Sequence, residues 1–175
     1  MSVPRFHVPQ SLAEGMRLAL PAAAAHHAAR VLRLHGGDAV TLFNGRGGEH
    51  AARIAAIGKR DVEVEIGRHD PVERESPLAV TLVQAVSSGE RMDLTIQKAV
   101  ELGVTRIVPV ASERSVVRLQ GERADKRVAH WQQVAISACE QCGRNRIPEV
   151  RMVSPLDVWL AAEVSDALRW VLLPG

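Results

Sequence analysis

The sequence predicts two domains, a small β-barrel followed by an α/β domain with a parallel sheet. Short strands separated by turn residues fill residues 1–70, with one helical stretch among them. A charged segment between prolines, at 71–77, then marks a change of pattern. In residues 78–175, apolar strands alternate with helical stretches, an order that favours a parallel sheet with right-handed crossovers. We therefore expect a barrel, a linker and an α/β domain with these boundaries.

The first domain is predicted from its turn residues and from the alternation of apolar and polar residues in its strands. Asn44-Gly45 is a strong hairpin signal between two strands. Apolar residues alternate with glutamates at 62–66, as in a strand with one wet face. Pro21 suits the first position of a helix, which we place at 22–34 before two glycines. The predicted strands are 5–8, 16–20, 40–43, 51–57 and 62–66.

The second domain is predicted from helix signals and apolar runs. Residues 78–86 are almost continuously apolar, which is typical of a strand covered by helices on both faces. A helix begins near Arg91, where Ser87 and Glu90 have capping-box spacing, and Gly103 suits its left-handed end. Further elements are a strand at 107–110, a helix at 121–142, a short helix after Ser154-Pro155 and a strand at 169–173. An apolar stripe on the long helix predicts a core face: Val128, Trp131, Ala135, Ala138 and Cys142.

Composition excludes several classes of protein. The chain is 46% hydrophobic, enough to build a core, but only 3% aromatic, which argues against a broad base-stacking platform. Two cysteines do not build a disulfide framework. No apolar run approaches the roughly 18 residues of a membrane span, and the N-terminus lacks a signal-peptide core. We expect a cytoplasmic protein.

Charge is unevenly distributed along the chain. The net charge is +2, but residues 106–151 carry nine basic against five acidic side chains, a local charge of +4. Such a segment suits a polyanion such as RNA. The alternative is an ordinary solvated helix face.

Three motifs are not expected to carry chemistry. Cys139 and Cys142 form a single CxxC pair inside a helical pattern, whereas a structural zinc site needs four ligands, so a structural role is preferred to redox activity. The glycines at 45–48 lack the Gly-Lys-Ser/Thr of a phosphate loop and are assigned to a hairpin turn. The adjacent His26 and His27 point to different helix faces, and no metal site is predicted.

Two polar clusters are candidates for a functional site. Glu113-Arg114-Ser115 follows a predicted strand, at the end where open α/β sheets bind ligands. Residues 140–146 form a dense polar cluster where the long helix ends. Arginine offers a planar fork of donors that suits phosphate or a base edge. The alternative for both clusters is helix capping and surface ion pairs, and Asp93 with Lys98 is expected to be a structural pair.

Several blocks point to one family when they are taken together. In the second half they are RMD to GV (91–104), SERSVV (112–117) and EQCGR (140–144). In the first half they are RF (5–6), residues 27–34 with Gly37-Asp38, LFNG (42–45) and GE (48–49). In this order and spacing, over nearly the whole chain, the sequence resembles the ribosomal small-subunit methyltransferase E family.

The resemblance implies a fold and a reaction. The first domain is expected to be a PUA-like barrel that helps to bind RNA, and the second a SPOUT α/β domain with a trefoil knot. The family transfers a methyl group from S-adenosylmethionine to N3 of uridine 1498 in 16S ribosomal RNA. Its members act as homodimers with the site near the dimer interface.

One departure from the family concerns the C-terminus. The chain ends at Leu172-Leu-Pro-Gly175, whereas the family continues with a Gly-Pro-Glu-Gly-Gly loop, a strand and the knotted helix. Those parts form most of the cofactor pocket. We expect this chain to be a truncated and inactive form with apolar surface exposed near residues 169–175.

The resemblance also implies roles for particular residues. Arg114 and Arg144 are expected to hold phosphate or stabilise negative charge on the uracil, and Glu140 and Glu101 to orient groups or act as a base. The cofactor's edge would be lined by Leu172, Leu173 and Pro174. The arginines expected to contact RNA are Arg5, Arg30, Arg33, Arg91, Arg118 and Arg146.

Three other functions are alternatives. A non-catalytic RNA-binding module is favoured for this polypeptide by the missing C-terminal parts, though not for the full-length protein. A SPOUT methyltransferase of transfer RNA is disfavoured by the barrel, the linker and the block at 112–117. A nucleotide-binding Rossmann enzyme is least favoured, because no glycine fingerprint follows the strand at 78–86.

Overall fold

The computed structural model describes residues 3–112, 121–162 and 167–172, and in these the chain forms two sheets. The elements of the first half are β1 (Arg5–His7), β2 (Arg17–Ala19), α1 (Ala22–His26), β3 (Ala39–Phe43), β4 (Glu49–Ile57) and β5 (Val62–Asp70). Those of the second half are β6 (Thr81–Ala85), α2 (Glu90–Glu101), β7 (Arg106–Ala111), α3 (Glu122–Cys142), β8 (Glu149–Val150), β9 (Ser154–Pro155) and α4 (Leu156–Ala162).

The first sheet has the strand order β1-β3-β4-β5-β2. Only β1 and β3 pair in parallel, and the register of β4 against β5 shifts twice, as at β-bulges that bend a sheet. Val62, Val64 and Ile66 are buried while the two glutamates between them are exposed, so the predicted alternation is confirmed. With Phe6 and Leu42 these residues form one core under the sheet.

The helix predicted at 22–34 is shorter than expected. α1 ends at His26 and continues into a π-helical turn, His27–Val31, in which the amide of Leu32 donates to the carbonyl of His27. Arg33 then adopts a left-handed φ of 53°. A π-helical turn cannot be recognised in an alanine-rich sequence. The small alanine side chain is tolerated on buried and exposed helix faces alike, so it gives no apolar periodicity to interpret.

The second sheet is entirely parallel, as predicted. Its order is β6-β7-β8, and β9 pairs with the end of β7. The expectation that residues 78–86 are covered on both faces does not hold in the described residues, because Leu78 and Val80 are exposed and only Val86 of this run is buried. An apolar run therefore does not by itself establish that both faces of a strand are covered.

α2 and α3 pack against each other and share the second core. The stripe on α3 is buried, although Cys139 rather than Cys142 is its fully buried cysteine. Gly103 adopts the predicted left-handed φ, 92°. The capping box is wrong, because Gly89 with φ 59° precedes α2 and no side chain caps it.

The last described segment does not form the strand predicted at 169–173. Residues 167–172 have no regular secondary structure, and Leu168, Trp170 and Leu172 are largely exposed. Residue 173 lies outside the described residues. No helix in the described ranges is long and apolar enough to cross a membrane.

Candidate functional site

The direction of the second sheet divides the candidate residues between two edges. All its strands end at one edge, the carboxyl edge, and α2 and α3 start near it and run back. The 12 residues of α2 cover about 18 Å. Residues at the ends of both helices therefore lie at the opposite, amino edge.

The carboxyl edge carries the elements expected to bind ligands. Ser87, Ser88 and Gly89 connect β6 to α2, and Arg91 is exposed in the first turn of the helix. β9 pairs with Val110 and Ala111 at the end of β7. Because α4 follows β9 directly, it begins at the same edge. A helix N-terminus and a guanidinium together favour an anionic group. Arg114 and Arg118, which follow β7, lie outside the described residues.

The amino edge holds Arg144, which the sequence assigned to catalysis. Its side chain is buried and donates through Nη1 to the carbonyls of Val100 and Val104, at 2.8 and 2.9 Å. Nε donates to Glu75 at 2.9 Å, and Nη2 donates to the other oxygen of that carboxylate. Burial tends to lower the pKa of Arg144, but Glu75 raises it above its ordinary value. These contacts tie the end of α2 to the linker.

Glu140 lies in the last turn of α3 and contacts the first sheet. Its Oε1 accepts a 2.9 Å hydrogen bond from the backbone amide of His7. Burial raises the pKa of Glu140, and the His7 amide opposes that rise. The carboxylate thus joins the two halves of the chain at the amino edge.

Glu101 closes α2 at the same edge. It accepts hydrogen bonds from Gln97 and Lys98, at 3.0 and 2.8 Å, and the Lys98 bond is the first cause of its lowered pKa. The expected Asp93–Lys98 pair is wrong, because Asp93 instead contacts His130 at 2.8 Å. Asp93 and Lys98 are five residues apart, a separation that does not bring two helix side chains together, whereas Glu101 is the i, i+3 partner of Lys98.

Three of the four predicted catalytic residues, Glu101, Glu140 and Arg144, lie at the amino edge. The βαβ geometry places them there, because a helix returns to the start of the next strand. Arg114 lies outside the described residues, and its catalytic role stays a prediction.

The arginines expected to contact RNA differ in their surroundings. Arg30, Arg33 and Arg91 are exposed. Arg146 is exposed too, and its Nε donates to Glu73 at 2.7 Å. Arg5 is different, because it is half-buried and its guanidinium lies 5.0 Å from the centre of the Phe43 ring.

The CxxC pair has a structural environment. Both cysteines are free, and burial raises the pKa of Cys139 to about 12. Its thiol donates to the carbonyl of Arg146 at 3.6 Å. Within the described ranges no group of three or more His, Cys, Asp or Glu side chains could hold a metal ion.

Sequence reasoning did not predict the bonds that join the two sheets. Arg5 donates to Glu49 and Asn145, and Arg74 of the linker donates to the same carboxylate of Glu49. The signal available was the charge of the segment at 71–77, which was interpreted only as a linker. Charged residues between prolines can also be ion-pair partners for arginines elsewhere.

The cofactor residues are only partly described. Leu172 is exposed, whereas Leu173 and Pro174 lie outside the described residues. At the carboxyl edge, α4 exposes Val158 and Leu160. Apolar side chains of this kind fit the adenine and the aliphatic part of S-adenosylmethionine.

Two family models match the chain. One described as an RNA methyltransferase PUA domain matches residues 20–67, and one described as an RNA methyltransferase domain matches residues 74–175. These matches fall on the first sheet and on the second.

Curated relatives and solved structures agree with the family models. The ribosomal RNA small subunit methyltransferase E of Buchnera aphidicola subsp. Schizaphis graminum is 31% identical over 99% of this chain and 70% of its own length. The corresponding protein of Bacillus subtilis is 28% identical over 81% of this chain and 55% of its own length. The chain therefore spans part of the length of each.

Two solved structures of similar proteins contain S-adenosyl methionine. Ribosomal RNA small subunit methyltransferase E from Neisseria gonorrhoeae, bound to S-adenosyl methionine, is 48% identical with a TM-score of 0.89, over 94% of this chain and 67% of that one. A putative methyltransferase from Legionella pneumophila with the same cofactor is 40% identical with a TM-score of 0.89, over 93% of this chain and 67% of that one. They confirm the predicted fold class, a PUA-like domain followed by a SPOUT domain. The chain belongs to the ribosomal RNA small subunit methyltransferase E family.

Proposed function

We propose that the protein containing this chain transfers a methyl group from S-adenosylmethionine to N3 of uridine 1498 in 16S ribosomal RNA. The observation that carries the proposal is the likeness, at 48% identity over 94% of the chain, to a relative crystallised with the methyl donor. A ribosomal RNA substrate would place the protein in the cytoplasm. The family resemblance supplies the uridine and its position.

The reaction sets clear demands on the protein. A bond forms between N3 and the methyl carbon while the bond from that carbon to sulfur breaks, leaving S-adenosylhomocysteine. The N3 proton passes to a base or to water. Holding the two reactants in line can supply several kcal/mol of the barrier. The target base also has to leave its stack to reach the donor.

We assign these tasks to different parts of the chain. Arg114, which follows β7, remains the candidate for stabilising negative charge on the uracil. Leu172, Leu173 and Pro174 remain the candidates for the cofactor's edge. The arginines proposed to hold RNA phosphates are Arg30, Arg33, Arg91, Arg118 and Arg146. Because Arg144, Glu140 and Glu101 bond within the chain at the amino edge, we propose that they support the site from a distance.

The test is methylation of small ribosomal subunits by the full-length protein. Methylation at N3 blocks the Watson–Crick edge of uracil, so reverse transcriptase should stop one nucleotide before uridine 1498. Subunits incubated without S-adenosylmethionine are the control. A stop elsewhere would assign the protein to another RNA, and binding without methylation would leave an RNA-binding module.

Calorimetry tests the part played by this chain alone. We expect S-adenosylmethionine to bind the full-length protein and not the 175-residue chain, which spans 67% of the relative crystallised with it. Binding of equal affinity to both would show that residues 1–175 hold the whole cofactor site. Absence of binding to both would contradict the proposed methyl donor.

We further propose that the full-length protein acts as a homodimer. Leu168, Trp170 and Val171 are each about 80% exposed, at 79%, 83% and 79%. The family resemblance supports the dimer, and exposed apolar residues of this kind are covered in the full-length protein by its own continuation or by a second subunit. Sedimentation equilibrium of the full-length protein should give twice the monomer mass, and a monomer would contradict this assignment.

A further inference from the structure

Three segments far apart in sequence meet between the two sheets. Arg5 and Glu49 come from the first sheet, Arg74 from the linker, and Asn145 from the turn after α3. We call these four residues the clamp. Their side chains bond to one another and to backbone atoms of the three segments.

Arg5 joins the first sheet to the turn after α3. Its Nη1 donates to Glu49 at 2.6 Å, and its Nη2 donates to Oδ1 of Asn145 at the same distance. Asn145 is fully buried and donates its amide to the carbonyl of Val72 in the linker, at 3.1 Å. One asparagine thus holds the strand and the linker together.

Glu49 is shared by two arginines. Arg74 donates to it at 2.8 and 3.3 Å and also donates to the carbonyl of Gly143 at 3.1 Å. The side chain of Glu49 is only 15% exposed, so water screens these bonds weakly. Its carboxylate is the only group in the clamp that both guanidinium groups contact.

The clamp continues into the methyltransferase half. Next to Asn145, Arg144 binds the carbonyls of Val100 and Val104, where α2 ends and β7 approaches. Glu140, one turn earlier, binds the His7 amide of β1. The first sheet is therefore fixed to the C-terminal ends of α2 and α3.

Buried ion pairs contribute little net stability, because desolvation offsets their attraction, but they fix geometry. We propose that Glu49 is a positioning residue, which sets the orientation of the PUA domain so that RNA held there presents its uridine at the carboxyl edge. This inference rests on the proposed function. Methyl transfer depends on alignment, and a misplacement of about 1 Å can cost about a hundredfold in rate.

The orientation can be measured without any activity. Spin labels at Arg60→Cys, in the turn before β5, and Lys126→Cys, on α3, report the distance between the two halves, with Cys142→Ser as background. We expect one narrow distance distribution for the unaltered clamp and a broader one for Glu49→Gln. Glu65→Gln is the matched control, since Glu65 pairs with Arg17 inside the first sheet alone.

Kinetics of the full-length protein separate positioning from stability. For Glu49→Gln we expect kcat/KM on small subunits to fall by about tenfold, a barrier increase of about 1.4 kcal/mol, with unchanged affinity for S-adenosylmethionine. A short RNA that carries the uridine but cannot span both domains should be methylated at the unaltered rate. Glu65→Gln should behave as the parent on both RNAs.

Defined outcomes overturn the inference. A lower melting temperature with an unchanged distance distribution, or equal losses on both RNAs, would show a merely stabilising contact. Arg74→Gln, at a 43% exposed side chain, provides a second variant if Glu49→Gln does not fold. If the parent protein methylates no RNA, the proposed function fails, while the distance distribution still decides whether Glu49 sets the orientation.

Discussion

At the scale of single residues, environment rather than residue type separates the roles of the charged side chains. Arg144 and Arg91 are both arginines of the family blocks, yet one is buried with intramolecular partners and the other is exposed at the carboxyl edge. The sequence identified Arg144 and Glu140 as part of a polar cluster. It could not show that their partners, Glu75 and His7, come from distant segments.

Glu140 allows a direct test of its structural assignment. Glu140→Ala should lower the free energy of unfolding by about 1–3 kcal/mol, because the His7 amide loses its acceptor. Glu140→Gln keeps an oxygen there and should be nearly neutral at pH 4, below the ordinary glutamate pKa of 4.5. Because burial raises the pKa of Glu140, the parent should lose stability relative to Glu140→Gln as pH rises through that pKa. Urea unfolding from pH 4 to 8 measures both, and equal losses for Ala and Gln would contradict the assignment.

Cys139 should be chemically inert in the folded protein. Burial raises its pKa to about 12, so the reactive thiolate is scarce near neutral pH. We expect an aromatic disulfide reagent at pH 8 to modify at most one of the two cysteines before unfolding and both in denaturant. Rapid modification of both thiols in the native protein would contradict the structural role of the pair.

At the scale of elements, the sequence predicted where most helices and strands lie, and it was weakest at their ends. Gly103 was correctly placed because a left-handed residue after a helix has a strong glycine preference. The capping box before α2 failed because Gly89 with φ 59° sets the entry to the helix. Residues 22–34 were predicted to form one helix, because an alanine-rich stretch contains no sequence pattern that marks a π-helical turn.

A substitution at Gly143 tests whether a left-handed residue is needed to end α3. It adopts φ 87°, and a Cβ there would meet only Arg74 Cδ, at 3.9 Å, so crowding is absent and backbone strain remains. Gly143→Ala should therefore lower the free energy of unfolding by about 1 kcal/mol. Gly36→Ala is the control, because its φ is not in the left-handed region and no atom lies within 4 Å. An unchanged stability for Gly143→Ala would contradict the cap.

At the scale of the whole molecule, the two halves are held by charge as well as by packing. The two-domain organisation follows from turn chemistry and strand patterns, which are local. The contacts between the halves are not local, since Arg5 and Asn145 are 140 residues apart. No single stretch of sequence contains both partners of such a pair, so the contacts between the domains could not be predicted from local sequence patterns.

The contacts of Glu49 with Arg74 and Arg5 make the free energy of unfolding depend on pH over a defined range. Burial tends to raise the pKa of Glu49, but hydrogen bonds from Arg74 and Arg5 outweigh it and lower that pKa to about 2. A lowered pKa means that this stabilisation is full above the ordinary value of 4.5 and is lost as pH falls towards 2. Glu49→Gln should cost about 1–3 kcal/mol at pH 7 and almost nothing at pH 2. A cost that does not change between pH 7 and pH 2, measured by urea unfolding, would contradict the network.

The position of the clamp has a consequence for building chimeras within the family. A cut at the proline-flanked linker looks natural for exchanging one half for that of a relative. Such a graft would separate Arg5 and Glu49 from Asn145, which lies beyond the cut, and it would cut through the segment that carries Arg74. A domain exchange should therefore transfer residues 71–77 and 143–145 together with the first sheet, so that the transplanted half keeps its own hydrogen-bond and ion-pair partners.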